Sequence, residues 1–224
     1  MRHVWAAKWF VLAVLFVVAL GVAIFVLTPD HVSNSSKPTA PAKNNSTTKQ
    51  QAVKPTPAPV PQPAVVQPTD GFLARITKKP FGVYITPQNS PVQPERFTGY
   101  HTGTDAEYGD ITADVPVRSI ANGTVTLDQW VSGYGGVEVI RTDLPIGQKW
   151  VLYGHLRPSS LLAVGTQVSR GQQIAVLGTA YSTETDGERR HLHLAVLVGG
   201  LDLRGYVQSK SELAGWIDPV TLFQ

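Results

Sequence analysis

Residues Trp9 to Thr28 run for 20 positions without a charged side chain, and that stretch decides how the rest of the chain can be read. As a helix rising 1.5 Å per residue it extends about 30 Å, the thickness of a bilayer's hydrocarbon core. A removable signal peptide has a shorter apolar segment, about 7 to 15 residues, and small residues at its cleavage point. Here the run leads instead into Thr28-Pro29-Asp30-His31. The reading is a single-pass transmembrane helix over residues 9–28 behind a cytosolic tail of residues 1–8. Arg2 and Lys8 flank its N-terminal side and Asp30 the other, so the positive-inside bias exports everything beyond Thr28. Trp5 and Trp9 suit an interfacial belt.

Residues 29–70 hold nine prolines among Ser, Thr, Asn, Gln and Lys, and no aromatic residue. Such a segment buries too little apolar surface to offset the entropy of ordering it. It reads as a linker, loose in its Ser/Asn/Thr-rich half and extended as polyproline II along "KPTPAPVPQPAVVQP". Four lysines against Asp30 and Asp70 make the linker basic, whereas Gly71 onward counts thirteen basic and fourteen acidic residues. The excess positive charge of the chain therefore lies outside the part that folds. That excludes a nucleic-acid-binding domain, whose basic residues would cluster on the folded part. With no cysteine, there is neither a disulfide nor a lipidated thiol.

Residues 71–224 are long enough for one core, and they read as β throughout. Runs such as "GTVTLDQWV", "GVEVIRT", "KWVLYGHL", "QQIAVLGTA" and "HLHLAVLV" are bounded by turns at Asn122-Gly123, Gly133 to Gly136 and Arg170-Gly171. Short helical turns fit only near 158–163 and 209–214. The expected fold class is all-β, with antiparallel sheets forming a sandwich or barrel-like pair.

"RRHLHLAV", residues 189–196, puts His191 and His193 one residue apart in a strand, where alternation directs both to one face. A histidine pair alone is more often surface or hydrogen-bonded core than a metal site. Only two other histidines lie in the domain: His101, in "GYHTGTDAEY", and His155, in "LYGHLRP". His101 and Asp105 are four residues apart across Thr-Gly-Thr, which disfavours a helix and allows both side chains onto one face. Two histidines and a carboxylate with an open fourth position suit a catalytic zinc. The residues alone leave the ligands to be chosen among His101, Asp105, His155, His191 and His193.

H-x-G-x-D near the start of the domain, Y-x-H-L in the middle and H-x-H near the end resemble the lysostaphin and LytM type of zinc metalloendopeptidase, which cuts peptide bonds of bacterial peptidoglycan. The resemblance runs from about Tyr100 to Val198 and extends through "SIANGTV", "GYGGVEVI", "VGTQVSRGQQIAVLG" and "WIDPV". It implies zinc held by His101, Asp105 and His193, with His155 and His191 as the catalytic histidines. It also implies peptidoglycan peptides as substrate, with a regulatory protein left open as a partner. Two departures stand out: "STETDGERRHLH" replaces the family's small Gly/Thr-rich loop with its proline, and Leu194 stands where an aromatic is common.

Arg189 and Arg190 could receive a carboxylate of an acidic stem peptide, but the preferred reading is a solvated charged loop balanced by Glu184, Asp186 and Glu188. Glu107, Asp110 and Asp114 read as solvated carboxylates. Tyr153 would share the strand face of His155, as a packed aromatic rather than an oxyanion donor. Other classes fit the chain less well. A biotinyl-type carrier would need a lysine at the 165–178 hairpin tip, where Gly171 is flanked by Arg170 and Gln172, and an efflux adaptor would need a long helical hairpin. A noncatalytic regulator built on the same fold normally accompanies loss of ligands, and here all are present.

Overall fold

The computed structural model describes residues 64–224. The anchor over 9–28 and most of the linker lie outside the described residues; among those described, no helix is long and apolar enough to cross a membrane. Twelve strands follow in order among the described residues: β1 (Tyr84–Ile85), β2 (Gly99–His101), β3 (Thr104–Glu107), β4 (Pro116–Arg118), β5 (Gly123–Val131), β6 (Gly135–Leu144), β7 (Gly147–Leu156), β8 (Gln167–Val168), β9 (Gln173–Val176), β10 (His191–Leu197), β11 (Tyr206–Val207) and β12 (Trp216–Ile217). The one α-helix among them, α1 (Lys210–Leu213), and a 3-10 turn at Pro158–Ser160 fall where short helical turns were expected.

The central sheet runs β12-β10-β7-β6-β5-β8, with β3 beside the other end of β10. All its pairings are antiparallel. Its two faces follow the period of two. Ile140, Val151, Tyr153, Leu192 and Leu194 point to one side, where Phe72, Val117, Ile120 and Ile174 cover them. Val137, Val139, Leu152, Ala195 and Leu197 point to the other, against Val207 and the half-buried Phe81 and Leu203. The small pair β4-β9 lies on the first side, while β1-β2-β11 form a separate three-stranded sheet. Both faces being covered explains why β10 is buried at every position and reads as a nearly continuous apolar run.

The folded part takes in residues that composition assigns to the linker. Val66 donates its amide to Ile120, Pro68 accepts from Arg118, and the buried Thr69 meets the hydroxyl of Tyr108. Apolar Val65 and Val66 sit among prolines, so composition averaged over the segment conceals them.

One charge sits inside the apolar layer. Glu138 of β6 is fully buried; one carboxyl oxygen accepts the Leu162 amide (3.0 Å) and the other has no partner. Burial pushes its carboxyl up to about 7. The folded state therefore holds a proton that the unfolded chain releases near pH 4.5, and the associated stability, on the order of 3 kcal/mol, is present below pH 4.5 and lost as pH rises through 7. Replacing Glu138 with glutamine should flatten the urea midpoint between pH 5 and 8 and raise it at pH 8. A variant whose midpoint falls with pH as steeply as the wild type would contradict this.

Candidate metal centre and catalytic histidines

The pairing of β3 with β10 sets Asp105 directly opposite His193 and Glu107 opposite His191, so the carboxylates and the histidine pair share one face. β2 ends at His101, and the chain turns through Thr102-Gly103 into β3. Gly103 is required there: a Cβ would come within 2.6 Å of both His193 Nε2 and the Leu194 carbonyl oxygen. The close approach that this glycine permits is thus to the His193 ring.

Three donor atoms converge. His101 Nε2 lies 3.2 Å from Asp105 Oδ1 and 3.1 Å from His193 Nδ1, and His193 Nδ1 lies 3.0 Å from Asp105 Oδ1. Ligands at zinc bond lengths on three corners of a tetrahedron stand about 3.3 Å apart, so this triangle fits a metal ion without rearrangement. The ring nitrogens are oriented for it. His101 Nδ1 donates to the Pro80 carbonyl (3.2 Å), and His193 Nε2 faces the Tyr134 hydroxyl at 3.5 Å, which leaves His101 Nε2 and His193 Nδ1 as lone-pair donors. All three side chains are at most 2% exposed.

Burial pushes His193 down, and the uncharged ring it favours is the one a metal requires. Burial also works to raise Asp105, but the imidazoles around it, His101 first among them, hold it well below the usual carboxylate range. The three residues can hold a metal ion.

His155 reaches the same place by breaking the strand rule. Regular alternation would put it on the Tyr153 side, but His155 has φ +61°, a left-handed conformation costly for a residue with a Cβ. Its ring accordingly turns to the other face, 4.0 Å from the His191 ring and 5.5 Å from Tyr134, and its Nδ1 has no partner. Tyr153 stays behind, buried, its hydroxyl accepting the Ile120 amide (3.0 Å). The two therefore do not share a face, and the packed-aromatic reading of Tyr153 agrees with its position. His191 Nδ1 donates to the Arg189 carbonyl (2.9 Å), so its Nε2 is the acceptor. Burial pushes His155 down to about 3 and His191 well below its ordinary value, leaving both uncharged at neutral pH.

Sequence reasoning placed Arg189 and Arg190 in a solvated loop; both are buried instead. Arg189 forks onto Glu107 and reaches Asp105, and Arg190 donates to the Ile111 carbonyl. The acids meant to balance them pair elsewhere, Glu188 with Arg96 and Glu184 with Arg157, while Asp186 accepts the Gly133 amide. Glu107 is likewise drawn into the interior, whereas Asp110 and Asp114 stay exposed, on Arg75 and Arg157. Two aromatic residues were missed: Tyr134, of the quoted "GYGG" turn, and Tyr206, whose hydroxyl accepts from the buried Lys79 (3.1 Å). With Phe97 they wall a cavity of about 310 Å³ over the histidines.

Residues 99–204 match the model of Peptidase family M23. This stretch is similar to the peptidase family M23 domain. Its bounds enclose His101, Asp105, His155, His191 and His193. Among curated proteins, the murein hydrolase activator EnvC of Escherichia coli (strain K12) is 40% identical over 67 residues, 29% of this chain. The matched stretch spans only 14% of that relative's length. Among solved structures, the catalytic domain of the antimicrobial peptidase lysostaphin from Staphylococcus simulans covers 69% of this chain and is itself 97% covered, at 21% identity and a TM-score of 0.47. LytU covers 65% of the chain and is 81% covered, at 29% identity and a TM-score of 0.46.

Proposed function

We propose that the chain is a zinc metalloendopeptidase that hydrolyses peptide cross-links of bacterial peptidoglycan, held at the outer face of a membrane by residues 9–28. The observation that carries the catalytic reading is the donor triangle of His101, Asp105 and His193 beside two uncharged histidines in a stretch similar to the M23 domain. When bound, zinc supplies a Lewis acid and lowers the pKa of water toward neutrality.

The chain's own groups do the rest. The carbonyl of Arg189 fixes the tautomer of His191, so that Nε2 accepts a proton from the attacking water. His155, uncharged, offers its ring N–H as a hydrogen bond to the peptide oxygen as it becomes negative, and the proton taken up by His191 passes to the departing amine. Tyr134 and Phe97 narrow the space in which bulk water could compete. The anchor rests on the uncharged run and its flanking charges alone. Protease added to spheroplasts should remove the domain from a membrane-bound chain, and a soluble mature protein starting near residue 29 would refute the anchoring.

A second reading is supported by the name of the EnvC relative: a domain that activates another murein hydrolase without cutting anything itself. One experiment separates the two. The purified chain, with and without zinc, is incubated with peptidoglycans of defined cross-link chemistry, and released muropeptides are identified. Zinc-dependent release of peptide fragments supports the enzyme; a chain that binds zinc and releases none from any cross-link type favours the activator.

A further inference from the structure

Arg189 is the largest departure from what the sequence led us to expect around the site, and its contacts are directional. It stands two residues before His191, only 6% exposed. Its Nη2 donates to Asp105 Oδ2 at 2.8 Å and to Glu107 Oε1 at 2.7 Å, while Nε bridges both Glu107 oxygens at 3.0 and 2.9 Å. Asp105 and Glu107 are two apart on β3 and so point the same way, toward the face shared with His191 and His193. One guanidinium thus spans both carboxylates.

The two oxygens of Asp105 are thereby given different tasks. Oδ1 faces His101 Nε2 and His193 Nδ1; Oδ2 is committed to Arg189. We propose that Arg189 is a positioning residue that fixes Asp105 as a one-oxygen ligand of the metal. The inference rests on the reading of His101, Asp105 and His193 as a zinc site.

A free carboxylate beside a zinc ion can offer both oxygens, which raises the donor count and fills the position that catalysis needs open. A carboxylate with one oxygen held by a charge-assisted bond offers one. The arginine's positive charge opposes a nearby cation, but Glu107 grips the same guanidinium bidentately and offsets that repulsion. Orientation of the ligand is then the larger effect, as for other groups that hold metal ligands in place.

The test uses the purified chain, Arg189→Gln, Arg189→Lys and the double variant Arg189→Gln/Glu107→Gln. The double variant removes a cation and an anion together, and so keeps the buried charge balanced should the single variant fail to fold. Near-UV circular dichroism checks folding, a chromophoric chelator measures zinc affinity, and the visible spectrum of the cobalt(II)-loaded chain reports coordination number. The wild type should give the intense bands of four-coordinate cobalt. The folded Arg189→Gln chain and the double variant should bind zinc about 10- to 100-fold more weakly, with cobalt bands weakened toward a five-coordinate pattern. Arg189→Lys, which keeps the charge without the fork, should lie between.

Folded variants with unchanged or tighter zinc binding and the wild-type cobalt spectrum would overturn the clamp while leaving the metal site intact. A folded wild type that binds neither metal would overturn the metal site, and the clamp with it.

Discussion

The His193→Ala chain is expected to come out of purification without zinc, and His101→Ala likewise. Each of these rings contributes one corner of a triangle whose sides are 3.0 to 3.2 Å, and no other described carboxylate or imidazole joins that cluster. Removing one leaves two donors. Since altering groups that merely support a ligand costs about 10- to 100-fold in metal affinity, loss of a ligand should cost at least about 10²-fold, and peptidase activity should vanish with the metal. Asp105→Ala should weaken binding as well, but it also leaves Arg189 without one of its two carboxylate partners, so Asp105→Asn is the gentler form. Metal content measured by elemental analysis, alongside circular dichroism to show a folded chain, decides the matter. Equal zinc in wild type, His101→Ala and His193→Ala would remove the site as drawn. Chelation of the wild type should abolish activity, and added zinc should restore it.

How much of this was legible beforehand depended on whether the controlling interaction was local. His191 and His193 could be put on one face because β10 obeys strict alternation. His101 and Asp105 could be joined because a Thr-Gly-Thr turn is a local device. The all-β class followed from short β-branched runs between glycine turns. His155 defied the same rule: its left-handed φ is imposed where β7 ends against the loop that follows β9, and the Gly178 amide donates to its carbonyl there (2.9 Å). Nothing within a few residues of His155 announces that reversal.

Arg189 was misread for a related reason. A run with Glu184, Asp186, Glu188, Arg189 and Arg190 looks self-neutralising along the chain, yet its arginine partners are Asp105 and Glu107, more than 80 residues away. Its acids are held by Arg96, Arg157 and a backbone amide. The stretch "STETDGERRHLH", which departs from the family pattern, is thus the one that supplies the arginine bound to Asp105 and Glu107. Tyr134 could have been suspected from its place between glycines. Gly154 and Gly205 leave the space its side chain occupies, since a Cβ on either would strike it at 2.7 and 2.8 Å, but those contacts come from β7 and from the residue before β11.

Replacing His155 with alanine should leave zinc content nearly unchanged and lower the rate of peptidoglycan cleavage on the order of 10²- to 10⁴-fold. The residue touches no atom of the donor triangle: its ring packs on His191 at 4.0 Å and stands 6.5 Å from that of His193. His191→Ala should lower the rate similarly but is the less clean test, because His191 Nε2 lies 3.4 Å from Asp105 Oδ2 and its loss disturbs the metal's carboxylate. The pH profile adds an independent check. An exposed histidine would impose an acid limb near pH 6 to 7. Burial pushes His155 down to about 3 and His191 in the same direction, so both stay unprotonated as pH falls through 6, and the loss of activity on acidification should begin well below the ordinary histidine range. The His155→Ala rate, measured from pH 5 to 8 on the zinc-loaded chain, should be low throughout. A variant that digests cell wall at the wild-type rate would remove His155 from catalysis, and a wild-type limb centred between pH 6 and 7 would mean that the working histidine is far better solvated than these buried rings.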